Sequence, residues 1–300
     1  MLRLSLAFTL VGLIAAPVAT AATHGIAVRY DAALVSAGFP SPVVVMTVGS
    51  ERAVFLIDTG AGVHTFARWF VTASRLRAEQ SDGTTVGSTG QETRVDVVSN
   101  VATRLDDGRR LLVPQAIVVD FPPIFEQKRI GGVLSPQLLS GANEEAVLNL
   151  LEPSLSFRRA RVAAGEAGAA SDAATVCTNA ESPFRNRLYA SAVLLDGAQA
   201  TLLIDTGATQ TMLAAESAAA RSFGDRAVPG GGARGVGGAV QKMERVPAVG
   251  VTRGGAVATI DVGIGTARNN CGPDGLLGMD ALARCVLVLG ESNAAISCRP

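Results

Sequence analysis

Two aspartates of this chain stand in the same hexapeptide. Leu-Ile-Asp-Thr-Gly-Ala occurs at residues 56–61 and again at 203–208, so Asp58 and Asp205 each end an apolar run, 53–57 and 200–204. A carboxylate at the end of a buried strand is unfavourable unless its charge is used. Two of them brought together in a partly dry cleft have such a use. Like charges raise one pKa sharply, so the pair holds a proton between them, with one member acting as base and the other as acid. A water between Asp58 and Asp205 would lose a proton to the ionised carboxylate and attack an electrophilic centre. The protonated partner would donate to the oxygen that gains charge, and the proton would later reach the leaving group. Titration belongs to the pair, so acid and base are not assigned individually. The competing reading is two turn aspartates that cap strand ends; the duplication weighs against it.

The elements around the two motifs repeat in the same order. A strand, a turn and a second strand precede each motif: 43–48, 49–51 and 53–57, then 188–195, 196–198 and 200–204. Further on come Ile130-Gly131-Gly132-Val133-Leu134-Ser135-Pro136 and Asp274-Gly275-Leu276-Leu277-Gly278-Met279-Asp280. Each half closes with an apolar hairpin, 147–151 returning as 155–157 and 286–289 returning as 294–297. Recurrence in this order marks an internally duplicated chain. Gly60 and Gly207 leave space where backbone must approach a carboxylate and direct an N–H at it. Gly132 and Gly275 would let the downstream segments pack beneath each aspartate loop. Short helices are expected near 68–76 and 214–223, and after the glycine segments near 136–140 and 279–284.

The doubled Asp-Thr-Gly, each with its downstream apolar-apolar-glycine segment, resembles the clan of aspartic proteases that includes the pepsins and retroviral proteases. Within that clan it is most similar to bacterial aspartyl-protease-like proteins with Asp-Thr-Gly-Ala motifs. The resemblance covers nearly all of the chain after Thr23. It implies a mainly β fold of two similar acid-protease-type β-barrel lobes with an active-site cleft between them, and an aspartic endopeptidase, exported if the amino terminus is a signal, acting on an extended peptide or protein substrate. It implies that Thr59 and Thr206 hydrogen-bond across the lobe junction and lock the dyad. It also makes flaps of the glycine-rich segments that contain Gly87 and Gly90 in the first half and Gly235, Gly237 and Gly238 in the second. Three departures stand out. Ser135 replaces the glycine matched by Gly278. Ala61 and Ala208 stand where pepsins commonly carry a hydroxyl residue, which predicts a less acidic dyad and a mildly acidic optimum. Neither flap contains a tyrosine, a retroviral rather than a pepsin trait.

The amino terminus reads as a secretory signal, residues 1–21, with Arg3, an apolar stretch 4–16 and a small-residue site at Ala19-Thr20-Ala21. That stretch is shorter than the roughly 20 residues a bilayer span needs, so no stable membrane insertion is expected after cleavage; an uncleaved anchor is the alternative. Periplasm and medium are both open. Arg29 is the sole basic side chain between the signal and Val43, which predicts no basic pro-segment of the pepsin kind. Lys plus Arg and Asp plus Glu both number 26, leaving no global field to recruit nucleic acid. The basic cluster Arg158, Arg159 and Arg161 reads as solvated surface. The expected organisation is a first lobe over 23–160, a flexible Ala- and Gly-rich linker over 161–176 and a second lobe over 177–300.

All four cysteines fall in the second half, an even count that favours disulfides in an exported protein. Cys285 and Cys298 flank the final hairpin and are paired across it, leaving Cys177 with Cys271; free buried thiols are the alternative. No metal site and no cofactor are expected, since the spacings are wrong and His24 and His64 are the only histidines. His64 has no counterpart in the second half and no nucleophile elbow, so a surface or loop role is expected. Trp69 reads as a packing residue beside the first helix. Residues 230–235 match the dinucleotide pattern by letter but lack its strand and helix, and 240–249 reads as a strand broken at Pro247. A monomer is expected, because two motifs in one chain make self-association unnecessary. The rival reading is a non-hydrolytic peptide-binding or inhibitory protein on the same fold.

Overall fold

The computed structural model describes residues 24–86, 92–160, 172–178, 186–234, 240–253, 256–266 and 271–299. In the first half the strands are β1 (His24–Ile26), β2 (Val43–Val48), β3 (Glu51–Ile57), β4 (Thr65–Ala67), β5 (Glu79–Val86), β6 (Glu92–Leu105), β7 (Arg110–Val119), β8 (Ile130–Leu134), β9 (Glu144–Asn149) and β10 (Ser154–Arg159). Three short helices accompany them, α1 (Ala32–Ser36), α2 (Arg68–Ala73) and α3 (Ile124–Gln127), with a 3-10 turn at Pro136–Leu138. The second half contributes β11 (Asp172–Thr178), β12 (Arg187–Leu195), β13 (Ala198–Ile204), β14 (Met212–Ala214), β15 (Val228–Arg234), β16 (Val240–Arg253), β17 (Ala256–Gly265), β18 (Gly275–Leu277), β19 (Cys285–Leu289) and β20 (Ala294–Cys298). Its helices are α4 (Ala218–Ser222) and α5 (Met279–Leu282). The fold is mainly β.

The duplication is written in strand order. One sheet runs β2-β3-β8-β4-β7-β6-β5, and the other contains β12-β13-β18-β14-β17-β16-β15, the same order element for element. Extra pairings of β2 with β6 and of β12 with β16 curl each set back on itself. The remaining six strands, β1-β10-β9-β19-β20-β11, form an antiparallel layer. Its middle pair, β9 with β19, joins the halves through Asn149–Val286, Leu148–Leu287, Val147–Val288 and Ala146–Leu289.

Each aspartate sits where a buried strand gives way to a loop. β3 and β13 end in continuous buried runs because a parallel neighbour, β8 or β18, covers them. β4 and β14 then cross antiparallel to β8 and β18. This crossing brings backbones close enough to require glycine. Gly132 has φ +151° and a β-carbon there would lie 2.1 Å from the Thr65 carbonyl oxygen; Gly275 has φ +142° and would meet the Met212 carbonyl oxygen at 2.0 Å. Beneath the first loop, Phe55, Phe66 and Phe70 are fully buried, with ring centroids 5.1–5.8 Å apart. Trp69 of α2 donates from Nε1 to the Ile130 carbonyl at 2.9 Å, with the Arg129 guanidinium over its ring.

Several expectations need correction. The proposed linker ends earlier than residue 176, because Asp172–Thr178 is a strand that pairs with both β20 and β12. Its backbone completes a ladder, which outweighs its alanine-rich composition; residues 161–171 lie outside those described. The glycine-rich stretch through Gly232 is edge strand β15 and pairs with β16. Residues 240–253 form one strand rather than a broken one. The register shifts between Val246 and Val249, with Ala248 at φ +53°, so Pro247 falls in a bulge where its missing N–H is tolerated. Arg158 is no solvated charge, since it pairs with the buried Glu145 opposite it. The cysteines pair as Cys177–Cys271 and Cys285–Cys298. Residues 1–23, which include the expected signal, lie outside the described set.

Candidate active site

Asp58 and Asp205 meet at the junction of the two halves. Their side chains share a hydrogen bond, and each is half-buried. The Oδ1 oxygen of Asp58 accepts from the backbone N–H of Gly60 at 2.7 Å and of Ala61 at 3.2 Å. Asp205 Oδ1 accepts from Gly207 at 2.9 Å and Ala208 at 3.1 Å. Each turn thus curls two amide donors onto its own aspartate, an arrangement open to alanine at the fourth motif position because the backbone supplies the donor.

The threonines bind across the junction. Thr59 donates from Oγ1 to the Ile204 carbonyl at 2.7 Å and accepts there from Thr206 N at 3.1 Å. Thr206 donates from Oγ1 to the Ile57 carbonyl at 2.8 Å and accepts from Thr59 N at 3.0 Å. Both are fully buried. These four bonds tie each aspartate's strand end to the other half, and in a dry environment they are strong. Two further side chains hold the threonine carbonyls. Ser41 Oγ donates to Thr206 O at 2.7 Å, while Gln137 Nε2 reaches Thr59 O, Ala61 O and, at 2.8 Å, Arg187 O.

Electrostatics separate the two carboxyls. Burial raises the pKa of Asp58, against the pull of its hydrogen bonds with Asp205 and the loop amides. Asp205 is raised well above the usual carboxylate range, first by burial and then by the Asp58 charge. The pair therefore keeps one proton at a pH where an exposed aspartate would have lost it. Among the described residues no cluster of His, Cys, Asp and Glu is placed to hold a metal ion.

His64 departs from expectation. It is only 2% exposed, its Nδ1 accepts from Ser135 N at 3.1 Å, and burial lowers its pKa to about 4. The loop that carries it packs against the end of β8, a placement set by residues far along the chain. The sequence alone does not mark Gln137, Ser41, Thr211 or Asp280 as parts of the site. Gln137 and Asp280 hold equivalent places, two residues past Ser135 and Gly278, and alignment of the two glycine segments would have raised both. Ser41 carries no sequence signal. The expected flap glycines Gly87, Gly90, Gly235, Gly237 and Gly238 lie outside the described residues.

Comparison with known proteins bears on one half directly. The model of the family described as “gag-polyprotein putative aspartyl protease” matches residues 191–284, a stretch that contains Asp205. No curated protein sequence matches the chain. Among solved structures, conglutin gamma, a basic 7S globulin from lupine seeds, superposes with a TM-score of 0.51 at 12% identity, over 92% of this chain and 95% of that one. Basic 7S globulin from soybean gives 0.47 at 12% identity, over 92% and 94%. Aspartic proteinase from Irpex lacteus gives 0.47 at 13%, over 92% and 97%. At such identities the likeness is one of fold.

Proposed function

We propose that this chain is an exported aspartic endopeptidase whose catalytic residues are Asp58 and Asp205. The observation that carries the proposal is the hydrogen-bonded carboxyl pair, set across the junction of two like halves with both pKa values raised. A pair that shares one proton can take a proton from water and give one to a carbonyl oxygen in the same step. The water lies between the carboxyls, the peptide carbonyl above it, and the neutral carboxyl then hands its proton to the departing amine. The threonine bonds keep the carboxyls in position through this exchange, so little reorganisation is needed at the moment of reaction. The substrate class is an extended peptide, held by main-chain hydrogen bonds. Export fits the two disulfides, and no described helix is long and apolar enough to cross a membrane.

The second reading is peptide binding without hydrolysis. It is favoured by the likeness in fold to conglutin gamma, a basic 7S globulin. Incubation with a complex peptide mixture from pH 3 to 7, read by mass spectrometry of new termini, separates the two. Cleavage by the parent and by neither Asp58→Ala nor Asp205→Ala supports the dyad. A folded parent that binds peptides but yields no new termini supports the second reading. A monomeric mass in solution fits a site formed within one chain.

A further inference from the structure

His64 and Asp58 are joined by a single peptide group. The carbonyl of Leu134 accepts from Asp58 N at 2.9 Å, and the N–H of that same Leu134–Ser135 peptide donates to His64 Nδ1 at 3.1 Å. The second half repeats the arrangement with a different acceptor. There the Leu277 carbonyl accepts from Asp205 N at 3.0 Å, and the Gly278 N–H donates to Thr211 Oγ1 at 3.1 Å. Thr211 in turn donates to Asp280 Oδ1 at 2.7 Å. His64 and Thr211 each follow their aspartate by the same number of residues, so the imidazole stands in for a hydroxyl.

The exchange changes what pH can do. A hydroxyl oxygen accepts a hydrogen bond across the whole acidic range, whereas imidazole Nδ1 accepts only while it carries no proton. Its role as acceptor places the ring proton on Nε2, which is buried with only the Leu138 backbone within reach. We propose that His64 is a positioning residue for Asp58. Through the Ser135 N–H it fixes the peptide that holds the Asp58 amide, and it can do so only as the neutral Nε2–H tautomer. This rests on the reading of Asp58 as a catalytic residue.

Protonation at Nδ1 would set two N–H groups face to face in a buried space. The Leu134–Ser135 peptide would have to turn away, and the Asp58 backbone would lose its partner. Only burial and the Leu138 backbone act on the ionisation of His64, with no charged side chain bearing on it. The groups in direct contact, the Ser135 amide beyond β8, the Leu138 backbone and, through the His64 carbonyl, the Ile117 amide of β7, are uncharged. The first half thus carries its acid limit on the acceptor itself, whereas in the second half the acceptor is a hydroxyl and the titrating group is Asp280 behind it.

The test needs three readouts. The chain has only two histidines, so nitrogen NMR of histidine-labelled protein resolves His64 directly. It should remain neutral with the proton on Nε2 until the pH approaches about 4. An Nδ1–H tautomer, or charging near the ordinary histidine value, would overturn the proposal. Unfolding should follow the same group: as pH falls from 7 to below 4, the parent's unfolding constant should rise by up to about 300-fold relative to that of His64→Asn. Superimposed pH dependences of the two proteins would count against it. In the cleavage assay at pH 5, His64→Ala should lose kcat at least about tenfold with KM little changed, and His64→Asn, whose Oδ1 keeps an acceptor in place, should restore it. Equal kcat for all three would end the positioning role. If the chain cleaves no peptide at any pH, the proposed function fails, and the tautomer and unfolding curves still decide the state of His64.

Discussion

Gly60 faces Asp205 so closely that a β-carbon on it would lie 2.4 Å from the carboxyl carbon, and Gly207 stands at the same distance from the carboxyl carbon of Asp58. Each glycine therefore serves the other half's aspartate as well as its own. Gly60→Ala and Gly207→Ala should each push the opposite carboxyl out of line. Displacement by a fraction of an ångström to an ångström predicts a loss of kcat of about 100-fold or more, with a stability loss of about 1–3 kcal/mol from overpacking. Steady-state kinetics and denaturant unfolding of the two variants check this; full activity in either would refute the close approach.

Thr59 and Thr206 form one network, so their contributions should not add. Each single alanine substitution leaves a buried carbonyl and a buried N–H without partners, a loss of about 1–3 kcal/mol. The double variant should lose less than the sum, with a coupling of about 0.5–3 kcal/mol. A double-mutant cycle on unfolding free energies measures it. Strict additivity would mean that the four bonds are not shared.

The dyad should weaken the fold as pH rises. Both folded-state pKa values lie above the unfolded aspartate value, so the native chain holds its proton more tightly than the unfolded one. Stability from these groups is present at low pH and lost as pH climbs through their raised pKa values. Asp205→Asn removes the buried charge. It should be inactive yet more stable than the parent at pH 7, by about 0.5–2 kcal/mol, with the gap closing toward pH 4. Thermal melts across that range test the sign. His64 acts in the opposite direction, so the two contributions offset each other over the range in which both titrate.

The disulfides should differ in effect. Cys177–Cys271 spans 94 residues and Cys285–Cys298 spans 13. Loop-closure entropy gives about 3 kcal/mol for the short loop and over 4 for the long one. Paired serine substitutions compared by melting should therefore rank Cys177/Cys271 as the more damaging. The reverse ranking would point to the final hairpin as the weaker element.

The site was legible wherever both halves spell it with the same letters. Asp58, Asp205, Gly60 and Gly207 stand out in the repeated hexapeptide, the threonine bonds follow from the family resemblance, and Gly132 and Gly275 from their place before the apolar pair. What stayed hidden depends on partners far away in sequence. His64 looks like a loop histidine because nothing near it announces the Ser135 amide, 71 residues on. The strand at Asp172–Thr178 reads as linker because its residues are small and its ladder partners are β12 and β20. Gln137 and Ser41 act through main-chain carbonyls, for which sequence has no code.

The seam between β9 and β19 has a consequence for how the chain comes of age. Most pairings within each half link neighbouring segments and can close early. The seam joins Leu148 to Leu287 and must wait for nearly the whole chain. The carboxyl pair cannot exist before the halves meet, because each supplies one member. A nascent or partly unfolded chain thus carries two separate, ordinary aspartates. Whatever chemistry the pair performs is withheld until the two halves meet.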